Sequence, residues 1–317
     1  MFTFKSLLRL ATARHQNTTP TFTEFITKSL AAIPELKGYH RPATIKNYKT
    51  AIASLQRFAN MSDVTDQPVN SDIMQQYETW LRAHGISPNT SSCYIRSLRS
   101  LYNSLNQQGD KEIFRHLFTG NMRTMKRALS PEAMRQIIAC QPPYTSSLRL
   151  WYDVFLFSVY ALGMPFVDVA YLGWSDVSDG FINYRRHKTG QQISVPVTPE
   201  MSNIMNHYRH HAADNLVFPI LSSHDTPYNI YQHRLTQYNS ALKHLQSQAC
   251  LPRSLTSYVA RHTWASLANT AGISLSHISQ ALGHTNIKTT QIYLNHISSN
   301  EILSDSLAVT QLIIKKK

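Results

Sequence analysis

The sequence predicts a mainly α protein of two domains, with a small β-hairpin or sheet that makes the C-terminal domain α+β. The chain has 317 residues, which exceeds the size at which a single hydrophobic core usually stops growing. Apolar residues recur at helical spacing in the first third of the chain, whereas residues 180–197 alternate between apolar and polar, as strands do. These observations indicate a helical N-terminal domain followed by a mixed C-terminal domain.

Four helical segments are predicted between residues 21 and 105. In the two clearest, apolar side chains spaced three, four and three residues apart form one stripe along a helix. The stripes consist of Ile45, Tyr48, Ile52 and Leu55, and of Ile95, Leu98, Tyr102 and Leu105. Residues that favour helix starts precede them at Pro42 and at 87–89, and residues 70–72 start a further helix.

Basic side chains lie off both stripes. Lys46 and Lys49 flank the first stripe, and Arg96 and Arg99 flank the second. Such cations on a small helical bundle suit contact with DNA phosphates, but solvated lysines and arginines are equally common on helix surfaces. The four residues are therefore candidate DNA contacts, with a solvated helix face as the alternative.

The helical periodicity lapses between residues 107 and 128. Arg123, Lys126 and Arg127 cluster there and are further candidates for DNA contact. Ser130 and Pro131 then supply an N-cap and a first-turn proline, which are typical of a new helix. The chain is accordingly divided into an N-terminal extension (1–19), a helical domain (20–108), a basic linker (109–128) and a C-terminal domain (129–317).

Charge indicates a polyanionic partner. Thirty-one Lys and Arg against eighteen Asp and Glu give a formal charge of +13 and a pI near 9.7. Residues 226–300 contain no Asp or Glu, yet they hold five Lys or Arg and six His. A surface without carboxylates suits a phosphate backbone, although chance composition in a chain rich in Ser, Asn and Gln remains the alternative.

Cysteine spacing and the N-terminus exclude other classes. Cys93, Cys140 and Cys250 lie far apart without a CxxC pair, which argues against a disulfide framework and against a zinc site. The basic N-terminus lacks an uninterrupted apolar run and a convincing cleavage site. A cytoplasmic protein without a membrane partner is expected.

Residues suited to cutting a phosphodiester occur together near the C-terminus. Arg261 opens an apolar helix, His284 ends a Leu-Gly-His turn, and Tyr293 follows nine residues later. Tyrosine is a nucleophile once a neighbour takes its proton. Arginine binds two phosphate oxygens at once and stays charged at any working pH. Histidine donates to the phosphate or relays a proton.

This set resembles the catalytic segment of the tyrosine recombinases, the phage integrase family, and the order and lengths of the segments match that family along nearly the whole chain. The resemblance implies a helical core-binding domain of SAM-like type, a catalytic domain, and a site-specific recombinase that cuts and rejoins DNA through a 3′-phosphotyrosyl intermediate. The outcome would be integration, excision or inversion of a DNA segment. Tyr293 would be the nucleophile, with Arg261 and His284 on the phosphate.

The resemblance extends to the predicted hairpin. Its strands are residues 180–184 and 192–197, and Lys188 lies at the turn. In the family a lysine at this place protonates the departing 5′-oxygen. Arg186 and His187 compete for that role, and Arg186 is also a candidate DNA contact. Tyr258 stands three positions before Arg261, where most members carry histidine and one branch carries tyrosine.

The main departure from the family is a missing arginine. Members carry a first arginine in a helical turn, whereas residues 160–172 contain none, and Leu162 or Pro165 takes its place. Asp168 matches the family's acidic position and is expected to buttress the site. The nearest cations that could replace the arginine are Arg149, Arg185 and Arg186.

No metal or cofactor is expected, because arginine, lysine and histidine carry the charge stabilisation. The partner is double-stranded DNA. By resemblance, four protomers act on two paired sites through a Holliday junction, with a monomer when free and association with the nucleoid when bound. Residues 302–314 dock on a neighbouring protomer or pack on their own domain. A DNA-binding protein that no longer cuts, and a type IB topoisomerase, are the alternatives.

Overall fold

The protein divides into two compact units, Met1–Thr124 and Met125–Lys317, named here the N-terminal unit and the C-terminal unit. The computed structural model describes residues 19–38, 40–105, 110–122, 128–284 and 290. The chain is mainly helical with one small antiparallel sheet, so the predicted fold class is confirmed.

The N-terminal unit contains the four predicted helices. They are α1 (Phe22–Leu36), α2 (Pro42–Met61), α3 (Ser71–Ala83) and α4 (Pro88–Leu105). Thr21 and Glu24 cap α1 reciprocally, since each side chain accepts the backbone N–H of the other at 3.2 Å. The side chain of Asn70 caps α3 by accepting the N–H of Ile73. These caps satisfy N–H groups that have no partner inside the helix.

The predicted apolar stripes form the core of this unit. Every member of both stripes is buried except Leu105, which is partly buried against the same core. Tyr48 and Ser100 bring their hydroxyls within 3.1 Å of each other and so connect α2 with α4. The four cations beside the stripes, Lys46, Lys49, Arg96 and Arg99, are exposed.

Residues 110–122 are part of the N-terminal unit, although the sequence predicts a linker over residues 109–128. A short 3-10 helix follows α4, and Ile113, Phe114 and Leu117 are buried in the same core as the four helices. The segment is too short and irregular to show a period, so its burial has no local signal. The described part of the N-terminal unit thus continues beyond residue 108.

Phe114→Ala is expected to destabilise the N-terminal unit by about 3–5 kcal/mol, because it removes a buried ring and leaves a cavity. Phe114 is 1% exposed and lies edge-on to Tyr102, with ring centroids 5.7 Å apart. Urea unfolding followed by circular dichroism measures the change. The control is Met61→Ala, whose side chain is 69% exposed and whose effect should stay within about 0.5 kcal/mol. Equal midpoints for the two variants would contradict the packing of residues 110–122.

The C-terminal unit is built around one apolar helix. Its helices are α5 (Pro131–Ala139), α6 (Arg149–Tyr160), α7 (Phe166–Ala170), α8 (Pro199–Tyr208), α9 (Tyr228–Gln248), α10 (Val259–Thr270) and α11 (Leu275–Ala281). Helix α6 is buried along most of its length and packs against α8, α9 and α10, as expected for a helix without a polar face. Neither α6 nor any other helix among the described residues is long and apolar enough to span a bilayer.

A three-stranded antiparallel sheet lies between α7 and α8 in the chain. Its strands, in order, are β1 (Val177–Ser178), β2 (Phe181–Arg185) and β3 (Gln192–Pro196). Ile182 pairs with Val195 and Tyr184 with Ile193, and all four side chains are buried. The turn between β2 and β3 is the predicted hairpin turn, and β1 adds an edge strand to it.

Candidate active site

Arg261 is buried in the first turn of α10, with 3% of its surface exposed. Its Nη1 donates to the carbonyl of Gly163 at 3.2 Å. Its Nη2 donates to the carbonyl of Leu282 and, at 3.1 Å, to Nε2 of His284. The planar guanidinium, with donors in fixed directions, therefore joins α10 to the turn after α6 and to the turn after α11.

The turn after α6 approaches Arg261 closely. Gly163 has φ +70°, and a Cβ there would lie 2.8 Å from the Cα of Arg261. Leu162 also has a positive φ, 57°, and packs against the main core of the unit. The turn thus contributes a backbone carbonyl to Arg261, while an apolar side chain occupies the position that the resemblance assigns to an arginine.

Arg186 lies directly after β2 and is 6% exposed. Its Nη1 donates to the carbonyls of Leu282, at 2.8 Å, and Gly283, at 3.1 Å. A Cβ on Gly283 would lie 2.9 Å from the Cδ of Arg186 and 2.5 Å from the Cδ1 of Ile193. The turn after α11 therefore requires glycine at position 283. The carbonyl of Leu282 accepts hydrogen bonds from both Arg186 and Arg261.

Asp168 on α7 fastens the hairpin turn to the helical part of the unit. This carboxylate is 3% exposed, and its Oδ1 accepts from the backbone N–H of His187 at 2.9 Å and lies 3.1 Å from the ring Nδ1. Its Oδ2 lies 3.7 Å from Nε of Arg186. The ring of Tyr171 packs on His187 with centroids 4.8 Å apart. Lys188 follows His187 and is exposed at the turn.

The hydrogen bonds of His284 assign its tautomer. Arginine can only donate, so Nε2, which faces Nη2 of Arg261, carries the lone pair. Nδ1 then carries the proton and donates to Oγ1 of Thr290 at 2.7 Å. Burial, followed by the charges of Arg261, Arg186 and Lys188, lowers the pKa of His284 to about 4. At neutral pH the ring is therefore an uncharged proton acceptor beside three cations.

Of the remaining predicted site residues, the structure describes Tyr258. Tyr258 precedes α10, is 46% exposed, and lies edge-on to His262 with ring centroids 4.8 Å apart. Tyr293 lies outside the described residues, as do residues 302–314 and the candidate linker cations Arg123, Lys126 and Arg127. Arg261, His284 and Lys188 are brought to one region.

Of the three cations considered as replacements for the missing arginine, one lies in the cluster. Arg149 is committed elsewhere: its Nε donates to Asp153 at 2.8 Å and its guanidinium stacks over Tyr144. Arg185 is exposed on β2. Arg186 had a signal in the sequence, because the side chains of Ile182, Tyr184 and residue 186 alternate onto the buried face. Thr290 as a partner of His284 had none.

Family models match both units of the chain. The model described as the phage integrase family matches residues 127–300. The model described as the phage integrase SAM-like domain matches residues 21–109. The first match alone covers more than half of the chain and contains all the residues of the cluster.

The individual relatives have low sequence identity to this chain. The tyrosine recombinase XerD of Listeria monocytogenes is 24% identical over 265 residues, which cover 79% of this chain and 86% of that protein. The Tn1549 transposon integrase in complex with circular intermediate DNA has a TM-score of 0.61 at 16% identity and covers 90% and 99% of the two chains. A lambda integrase tetramer bound to a Holliday junction has a TM-score of 0.64 at 14% identity, covering 92% and 84%. These two structures share the fold.

His284 should titrate near pH 4, since burial and the neighbouring cations oppose protonation of the folded protein. The pKa of His284 is lower in the folded protein than in the unfolded chain, so the unfolded chain binds the proton at a higher pH. Stability is then retained above about pH 6.5 and lost as the pH falls toward 4. Nitrogen-edited NMR of the histidine rings measures the titration, and His284→Gln assigns the signal and should reduce the loss at low pH. A midpoint near 6.5 would contradict the described environment.

Proposed function

The chain belongs to the phage integrase family, and from that premise we propose how its C-terminal unit cuts and rejoins DNA. The protein is a tyrosine-type site-specific DNA recombinase. The observation that supports the chemistry is the convergence of Arg261 and His284, which are 23 residues apart in the chain. Arg186 joins them, because it donates to the carbonyl of Leu282 that Arg261 also contacts. This arrangement provides a cationic surface and a proton acceptor side by side.

The proposed reaction exchanges one phosphodiester for another. The phenolic oxygen of Tyr293 gives its proton to His284 and attacks the scissile phosphorus, the bond from phosphorus to the 5′-oxygen breaks, and a 3′-phosphotyrosine results. The 5′-oxygen leaves as a hydroxyl after it receives a proton. Attack by a 5′-hydroxyl on the phosphotyrosine reverses these steps and rejoins the strand. Because the phosphotyrosine conserves the energy of the broken phosphodiester bond, no external energy source is required.

Each residue of the cluster has a role that follows from its protonation state. Arg261 binds the non-bridging oxygens and stabilises the charge that develops on them. His284 is neutral with its lone pair on Nε2, which suits it to take and return a proton rather than to act as a fixed cation. Lys188 is the general acid for the 5′-oxygen, and Tyr258 contributes a hydrogen bond to the phosphate.

Double-stranded DNA is the proposed substrate and partner. The exposed cations Lys46, Lys49, Arg96 and Arg99 supply phosphate contacts from the N-terminal unit. The predicted linker cations Arg123, Lys126 and Arg127 are proposed as further contacts. We infer that four copies assemble on two paired sites, that the free protein is a monomer, and that the bound form is associated with the nucleoid. The lambda integrase tetramer bound to a Holliday junction supports the assembly. The proposed domain divisions lie at residues 19 and 128, because residues 113–117 contribute to the core of the N-terminal unit.

Tyr293→Phe should abolish the covalent protein–DNA adduct on a nicked suicide substrate while leaving DNA binding intact, because phenylalanine lacks the attacking oxygen. Denaturing electrophoresis detects the adduct, and a gel-shift assay measures the binding. Tyr258→Phe is the matched control, since it removes one hydroxyl beside the site and should slow adduct formation by at most about tenfold. An adduct formed by Tyr293→Phe would show that another residue is the nucleophile, and DNA relaxation without recombinant product would favour a topoisomerase.

Lys188→Ala should slow cleavage of ordinary DNA and recover on a substrate whose 5′-bridging oxygen is replaced by sulfur, because a thiolate leaves without an acid. Arg261→Ala is the comparison variant. It should lose about 10²–10³-fold on both substrates, since the non-bridging oxygens that it binds are unchanged. Single-turnover rates of adduct formation give both results. Equal loss by Lys188→Ala on the two substrates would place the general acid elsewhere.

A further inference from the structure

Two buried guanidinium groups meet at one backbone oxygen. Arg186 donates Nη1 to the carbonyl of Leu282 at 2.8 Å, and Arg261 donates Nη2 to the same oxygen. Both side chains are buried, at 6% and 3% exposure. Two like charges held this close and away from water repel each other, so the arrangement requires an explanation beyond packing.

The described charges around the two guanidinium groups are one carboxylate and one ammonium. Among the described residues around them, Asp168 is the carboxylate within reach, and its Oδ2 is 3.7 Å from Nε of Arg186. Both of those atoms are buried without a hydrogen-bond partner in the described part of the chain. Lys188 adds a further positive charge, and His284 is neutral. A phosphate at this place would meet two guanidinium groups and would offset part of their positive charge.

We propose that Arg186 is a second phosphate-binding guanidinium of the active site, acting with Arg261 on the non-bridging oxygens of the scissile phosphate. This inference rests on the proposed function. It gives the phosphate the paired cations that the turn at residues 162–165 lacks. Arg186 keeps Nη1 on the carbonyls of Leu282 and Gly283, while Nη2 makes no hydrogen bond within the described residues. That nitrogen is the proposed donor to the phosphate.

Position in the chain strengthens the assignment. Arg186 and Lys188 lie two residues apart on one turn, which Asp168 holds through His187. The hairpin would thus supply both a donor to the non-bridging oxygens and the acid for the leaving oxygen. Asp168 orients Arg186 without neutralising it closely, because the two side chains stay 3.7 Å apart.

The test compares Arg186→Ala with Arg185→Ala on two substrates. Arg185 is the exposed neighbour on β2, so its variant matches the change in charge. On ordinary DNA, Arg186→Ala should form the Tyr293 adduct about 10²–10³-fold more slowly than wild type, and Arg185→Ala should match wild type. On a substrate with a methylphosphonate at the scissile position, which lacks the negative charge, the deficit of Arg186→Ala should fall below about tenfold. DNA affinity should be unchanged.

The outcomes separate this inference from the proposed function. An Arg186→Ala variant that is equally slow on both substrates, or as fast as wild type on ordinary DNA, overturns the inference. If Arg186→Ala does not fold, Arg186→Lys is the second variant, because it keeps the buried charge and loses the planar set of guanidinium donors. It should be slow on ordinary DNA, and a wild-type rate would overturn the inference. If wild type itself forms no adduct on either substrate, the proposed function fails and the inference with it.

Discussion

The carbonyl oxygen of Leu282 accepts hydrogen bonds from two arginines of the candidate active site. Arg261 reaches it from α10 and Arg186 from the hairpin, across 21 and 96 residues of chain. His284 follows two residues later and accepts from Arg261. Each of these side chains is therefore placed by the turn after α11, and a shift of that turn would move all three.

That turn depends in its own right on close backbone packing. A side chain at Gly283 would collide with Arg186 and Ile193, and one at Gly163 would collide with the backbone of Arg261. Positive φ values of 61° and 70° at these glycines add a second reason why L side chains are disfavoured there. Steric space and hydrogen bonding thus select the same residue at both turns.

The fold was largely predictable from the sequence, because its signals are local. The stripe that begins at Ile45, the caps at Asn70 and Ser130, and the alternation around Ile182 each depend on neighbours within a few residues. Phe114 is buried but lies in an irregular segment, so no local periodicity predicted its burial. The site was predictable in part, since the spacing of Arg261 and His284 indicated it.

What the sequence did not disclose were contacts that depend on tertiary packing. Arg186 and the carbonyl of Leu282 are 96 residues apart, and no local pattern relates them. The same holds for Leu162, whose packing against the core explains physically why that turn holds an apolar side chain. A charge there would be buried without a described partner. The alternation that carries residue 186 to the inner face was visible, but not which acceptors it would meet.

The hydrogen-bond acceptors of the two buried arginines are backbone carbonyls, and this affects the charge of the candidate site. Gly163, Leu282 and Gly283 orient the two guanidinium groups through carbonyl oxygens, which are neutral and do not themselves cancel the positive charge. A carboxylate in the same place would fix the geometry equally well but would repel a phosphate. Asp168 directs its hydrogen-bonded oxygen to His187 instead. The absence of Asp and Glu from residues 226–300 has a similar effect over a longer stretch, because no carboxylate in that stretch repels an anionic ligand.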